Sequence, residues 1–381
     1  MKIWIDMTTP FQCNLYTYVL DKLDDRFNSI ITCRKHDSII PILESKRLPF
    51  IPIGRHGGKT QKGKLKCYCE RVNELSDFLE EEKPDLLLTE RDPASVRAAF
   101  GFGIPAYPLF YDEREYWVNR MVFPLAYEFF VPSFYIPREL DEEAASPSKA
   151  LWFNGLHTTY MKNCKLESEN PWERDYDINH PIILVRPELN HATFGPEQTK
   201  PILENTIPFL TEKFPDASII VLPRNPEQET RFRSIDNVII PKDALPEVPV
   251  AYTDLVIGAA ETMLQEAFSI AVPAISCVYW ELSKPMQYLH TQIPNPNHHH
   301  NNPQTIANIA EELLETRNKW IYVGRAEKAL AKMHDISEFI ANHLKMLKSV
   351  NELEAIKKTM MSVDEGRFFQ RPTLEDFQIT T

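Results

Sequence analysis

"DLVIGAAETMLQEAFSIAVPAIS" (254–276) decides the fold. An apolar run, "DLVI", leads into a turn at 258–260, a helical stretch over 261–271, and a second apolar run, "PAIS". Strand, turn, helix and strand in that order form a crossover unit, which joins parallel strands. At the turn, free N–H groups and the positive end of the helix dipole face outward and suit a phosphate. Phosphate turns usually carry glycine, because the backbone must approach the anion closely. The centre of this turn is Ala259, Ala260 and Glu261, followed by Thr262 and Met263 in the first helical turn. Glu266 lies about one turn further in, where a carboxylate can reach a ribose hydroxyl pair. The plain alternative is a β–α turn with an acidic helix start and a solvent-facing glutamate.

The same alternation fills the chain. Apolar runs at 2–5, 29–33, 49–53, 85–89 and 104–110 are separated by amphipathic stretches at 11–23, 36–46, 64–82 and 93–102. The pattern restarts near 180, with runs at 181–185, 217–223, 237–241, 254–258 and 273–276 and a helix over 197–213. Apolar strands alternating with helices predict parallel sheets covered on both faces. The polar, proline-interrupted stretch 138–180 is expected to join two α/β domains. Beyond 304 the pattern is helical, including 323–349 and 351–361, with an irregular tail. At 381 residues the chain is too long for one core. The divisions are 1–165 for an N-terminal Rossmann-like domain, 176–340 for a C-terminal one, and 341–381 for helices and tail.

Composition excludes several classes. A formal charge of −12 with one short basic cluster argues against nucleic acid. Six scattered cysteines make no disulfide framework and suit a reducing compartment. No apolar run approaches the ~18–20 residues of a membrane span, and the start holds too short an apolar run for a signal peptide. The expected location is cytoplasmic. "CYC" (67–69) has the wrong spacing for zinc, and "HHH" (298–300) is taken as a polar loop, so no metal is expected. Serine-hydrolase, zincin, Walker and full dinucleotide fingerprints are absent from the sequence.

Polar residues cluster where strands should end, which is where open α/β sheets bind ligands. Asp6 follows the first run, Arg91 the fourth and Asp112 the fifth, while Arg186 and Arg224 close two runs in the second half. "IGRHGGKTQKGK" (53–64) adds His56, Gly57, Gly58 and Lys64, a glycine-rich basic loop fit for an anion or a sugar. Any one of these residues taken alone is as well explained by a cap or a surface ion pair.

Taken in order, "MKIWIDMTTP", "ITCR", "IGRHGGKTQKGKL…ER" (the last two being Glu70 and Arg71), "KPDLLLTERDPASVRAAFGFGIP", "ILVRPE", "VLPRNPEQ" and "VIGAAETMLQEAFSIAVPAIS" resemble the domain-of-unknown-function 354 family over about residues 1–340. That family occurs mainly in archaea and is similar to UDP-N-acetylglucosamine 2-epimerases and GT-B glycosyltransferases. The resemblance implies two Rossmann-like domains facing across a cleft, with C-terminal helices. It implies a nucleotide-sugar, most simply a UDP-sugar, as substrate, with no bound cofactor. The donor would meet Arg186, Arg224, Ala260, Glu261, Thr262, Met263 and Glu266. The acceptor, a glycan or a lipid-linked glycan, would meet Gly57, Gly58, Lys64 and Arg91, with Asp6, His56 and Asp112 as catalytic groups. A glycosyltransferase, a 2-epimerase-like enzyme and a non-catalytic binding protein all fit. Peripheral contact with a membrane and the oligomeric state stay open. Where the family usually has Gly-Gly-Thr-Met, this chain has Ala260 and Glu261 before Thr262 and Met263, and Gln265 replaces an arginine.

Overall fold

The computed structural model describes residues 1–35, 39–58, 60–164, 166, 169–188, 201–235, 237–241, 248–278, 281–293 and 302–347. The histidines at 298–300, the start of the helix expected over 197–213, and the stretch 351–381 lie outside these residues.

The first half begins with β1 (Lys2–Met7), β2 (Asn28–Lys35), β3 (Ile51–Arg55), β4 (Leu86–Thr89) and β5 (Ala106–Pro108). They form one parallel sheet in the order β3-β2-β1-β4-β5. Two more strands, β6 (Phe129–Pro132) and β7 (Ala150–Phe153), pair in parallel and join the sheet edge through a Leu109–Phe130 bridge. Thus the passage expected over 138–180 contributes a strand to the first half. "ALWF" was hidden because polar residues surround its short apolar run.

The second half repeats the plan. β8 (Ile182–Arg186), β9 (Ser218–Val221), β10 (Val238–Ile239), β11 (Leu255–Gly258) and β12 (Ala274–Ser276) run in the order β10-β9-β8-β11-β12. Both sheets therefore reverse direction beside a central strand, at β1/β4 and at β8/β11. Register matters at the second reversal, because Gly258 pairs with Arg186 and sets that arginine beside the 258–261 turn.

Alternation divides the cores. In β1, Ile3 and Ile5 face one core and Trp4 the other. The first of these cores is continuous through Tyr160 and Trp172 with Ile182 and Leu184 of the second sheet. The helix Ile336–Met346 runs across the 340/341 division and buries Ile336, Ile340 and Leu344 in this shared core. It packs against the helix Pro10–Leu20 of the first half.

Candidate functional site

At the first reversal, β1 and β4 bring acidic residues together below the strand ends. Asp6 is fully buried and its Oδ1 accepts from Thr32 Oγ1 and Arg71 Nη2, each at 2.6 Å. Trp4 Nε1 donates to the same threonine at 2.8 Å. Arg71, from the helix Gln61–Glu82, also pairs with Asp92, which caps the helix Pro93–Gly101 through Ser95 N–H at 2.9 Å. Gly54 lets this arginine pass. It has φ +74°, and a Cβ there would stand 2.6 Å from Arg71 Cγ. Burial works against the Arg71 charge, but Asp6 and Asp92 outweigh it and hold the guanidinium above the usual arginine range. Asp6 is therefore sealed inside, away from any substrate in this conformation.

Above this network, Glu90 accepts from Gln12 Nε2 at 2.7 Å, from Thr9 Oγ1 at 3.2 Å, and from the Tyr111 hydroxyl. Arg91 donates to Glu90 at 3.3 Å and to the Asp112 carbonyl at 3.0 Å, and lies 4.4 Å over the Tyr111 ring. The other face of Tyr111 belongs to His157, stacked at 4.1 Å. Burial pushes His157 down to about 3, so the imidazole is neutral at pH 7. Its Nδ1 has no hydrogen-bond partner among the described residues.

Asp112 joins the two halves. Both its oxygens take hydrogen bonds from Arg114 at 2.9 Å, and Arg114 also grips Glu261 at 2.8 and 2.9 Å. Burial pushes the Asp112 carboxyl up, but Arg114 and Arg91 outweigh that and hold it below the usual range. For Glu261 burial outweighs Arg114, and its carboxyl sits above the usual range. Ser283 N–H also donates to Glu261 at 3.2 Å. The acidic residue at the turn is thus neutralised by an arginine from the other half.

The second reversal holds two largely buried arginines, with Glu266 acting on Arg186 and Glu188 on Arg224. Arg186 Nη1 donates to the carbonyls of Leu222 and Pro223 at 2.8 and 3.1 Å. Arg224 Nε donates to the Pro187 carbonyl at 2.8 Å. Among the described residues neither forms an ion pair with a carboxylate. Burial and the neighbouring Arg186 push Arg224 down to about 9, and burial lowers Arg186 as well. Ala260 begins the helix Glu261–Ser269 as an extended residue with no side-chain cap on the first-turn N–H groups. Glu266, one turn in, accepts from Tyr160 Oη at 3.3 Å, and burial pushes its carboxyl up to about 7. Thr262 is exposed and Met263 half-buried.

The structure brings Arg186 and Arg224 to one reversal with Glu266 of the following helix, and it links Asp112 in the first half to Glu261 through Arg114. His56 and Gly58 are exposed on the loop beyond β3, where His56 Nδ1 accepts from Gly58 N–H at 3.1 Å, whereas Lys64, expected on that loop, is exposed in the first turn of the helix Gln61–Glu82. Gly57 has a packing reason, since a Cβ there would stand 2.5 Å from the Lys64 backbone. Sequence reasoning gave Arg71 no role although it stands in a quoted motif, and it missed Arg114, His157 and Tyr160. Arg71 lies mid-helix, and His157 and Tyr160 lie in the supposed passage, where no local pattern distinguishes them. Among the described residues no His, Cys, Asp or Glu cluster could hold a metal, and no helix is long and apolar enough to cross a membrane.

The chain belongs to the family described as "Protein of unknown function (DUF354)", whose family model matches residues 1–354. It is 27% identical over 326 residues to an uncharacterised protein of Methanocaldococcus jannaschii, covering 83% of this chain and 93% of that one. Its structure is similar to the UDP-GlcNAc 2-epimerase of Neisseria meningitidis bound to UDP-GlcNAc, at TM-score 0.62 and 15% identity, over 95% of this chain and all of that one. It is also similar to a glycotransferase of kitacinnamycin, at TM-score 0.60 and 12% identity, over 91% and 98% of the two chains. At such identities the likeness concerns the fold, which is GT-B-like, with two parallel α/β halves.

Proposed function

We propose that this member of the family is a nucleotide-sugar-dependent, glycosyltransferase-like protein of polysaccharide or glycoconjugate synthesis. The observation that carries the reading is the Arg186–Arg224 pair. Two partly buried guanidiniums lie beside one another at a sheet reversal, with backbone carbonyls as their described partners. Burying like charges is costly unless an anion joins them. A nucleoside diphosphate has the right charge, and the first-turn N–H groups of Thr262 and Met263 are placed to help hold it. Glu266 would take the ribose hydroxyls. UDP-GlcNAc, bound by the Neisseria relative, is the first ligand to try.

In this reading the opposite wall receives an acceptor through Arg91 and the loop of His56, Gly57, Gly58 and Lys64. The sugar–phosphate C–O bond breaks, the acceptor oxygen takes the sugar carbon, and its proton passes to a base. Arginines and the helix start stabilise the leaving diphosphate. Asp112 is held below the usual carboxylate range and both its oxygens are taken by Arg114, whereas Asp6 is sealed inside by Arg71 and Thr32.

Isothermal titration with UDP and UDP-GlcNAc tests the reading. Binding is expected, and it should weaken at least tenfold in Arg224→Ala. Folded protein that gives no heat at millimolar ligand overturns it. A 2-epimerase-like reaction is the second reading, favoured by the neutral His157 and the carboxylates facing the cleft. Incubation with UDP-GlcNAc in deuterated water separates the two, because only the epimerase exchanges the C2 hydrogen.

A further inference from the structure

The helix Thr316–Leu330 turns Tyr322, Ala326, Ala329 and Leu330 inward, toward the helices Glu261–Ser269 and Lys284–Gln292. At 3.6 residues per turn the opposite face carries Arg317, Trp320, Ile321, Gly324, Arg325 and Lys328, and Lys332 continues it just past the helix end. Trp320 is 69% exposed and Ile321 43% exposed. All four cations are exposed, and among the described residues none of their side chains makes an ion pair or a hydrogen bond. Glu327, at the margin, is the one acidic side chain within the helix, so the face is strongly positive on a protein of formal charge −12.

We infer that this face docks the protein on a membrane surface containing anionic lipid. Three features favour a bilayer over other partners. An exposed tryptophan beside an isoleucine suits the headgroup boundary, where an indole keeps its apolar body in the acyl region and its N–H near water. Arginine and lysine bury their stems along such a surface while their charged ends reach phosphate. The apolar pair is bracketed by cations on one flat face about 22 Å long, the pattern of a helix lying in the interface plane. The overall negative charge repels a long polyanion that would wrap the molecule, whereas a planar surface meets only this face. Because the helix packs directly behind Glu261–Ser269, docking would hold the second reversal at a fixed height above the lipid.

The test is co-sedimentation of the full chain with vesicles of phosphatidylcholine alone and of phosphatidylcholine mixed with phosphatidylglycerol. Binding is expected only to the mixed vesicles, with a steep loss as salt rises. Arg325→Glu combined with Lys328→Glu should weaken binding by more than twentyfold, and Trp320→Ala by about fivefold. Arg138→Glu, half that charge change made on an exposed residue of the first half, should leave it nearly unchanged. Circular dichroism establishes that each variant is folded. No binding to mixed vesicles at low salt overturns the inference. So does equal weakening by Arg138→Glu, which would mean that charge alone matters and not this face. Binding to polyglutamate as tight as to vesicles also overturns it and points to an acidic protein partner.

Discussion

The two sheet reversals share a strand order and differ in how they treat charge. Asp6 near the end of β1 and Arg186 at the end of β8 occupy corresponding places beside the point where each order reverses. Asp6 is closed off by Arg71 and Thr32, and Asp92 completes the set. Arg186 and Arg224 donate to backbone carbonyls and repel one another, with Glu266 acting on the first and Glu188 on the second from further off. One reversal has its counter-ions within the chain, so its charges build structure. The other holds two guanidiniums with no ion pair to a carboxylate among the described residues. A shared fold thus does not share its chemistry, because the site depends on which side chains stand at the strand ends.

The comparison breaks first at Arg71. Arg71→Met strands two buried carboxylates, and chemical denaturation should show a loss of about 3–5 kcal/mol. Adding Asp6→Asn and Asp92→Asn should recover part of it. A loss below about 1 kcal/mol would mean that the first reversal is no more self-contained than the second. Arg224→Ala should barely change stability while weakening UDP binding about 10- to 100-fold, the value of one or two hydrogen bonds to a charged group. The opposite result, lower stability with unchanged binding, would make the pair structural.

Glu266 sharpens the comparison through pH. Its carboxyl sits at about 7 in the folded protein, against about 4.3 for a free glutamate. The raised value favours folding fully below the free value, and that contribution is lost as pH climbs through 7. A ribose contact needs the carboxylate, so UDP affinity should rise about tenfold between pH 6 and pH 8. Glu266→Gln should remove that part of the rise, leaving the part due to the diphosphate itself. Identical pH profiles for the two proteins would separate Glu266 from the ligand. The smallest effect belongs to Glu261. Glu261→Gln removes a negative charge from the helix start, so affinity for inorganic diphosphate should increase about two- to fivefold. A decrease would show that the Arg114–Glu261 pair helps to shape the site.

Local pattern made much of this legible. Apolar runs alternating with helices announced both sheets, strand-end position picked out Arg186 and Arg224, and distance from the turn picked out Glu266. Asp92 before Pro93 has the local form of an N-cap, and it caps its helix in the structure. What stayed hidden had long separation in the chain. Glu261 looked like an obstacle to an anion until Arg114, 147 residues away, proved to hold it. Strand β7 hid among polar neighbours, and Arg71 looked like an ordinary helix residue.

By itself the sequence determined the class of fold and its two sheets, because both depend on periodicity within a few residues. Only the tertiary structure decided which charges pair with one another and which have backbone carbonyls as their described partners. Such pairing depends on distances of a few ångströms between residues far apart in the chain, and no local pattern records them.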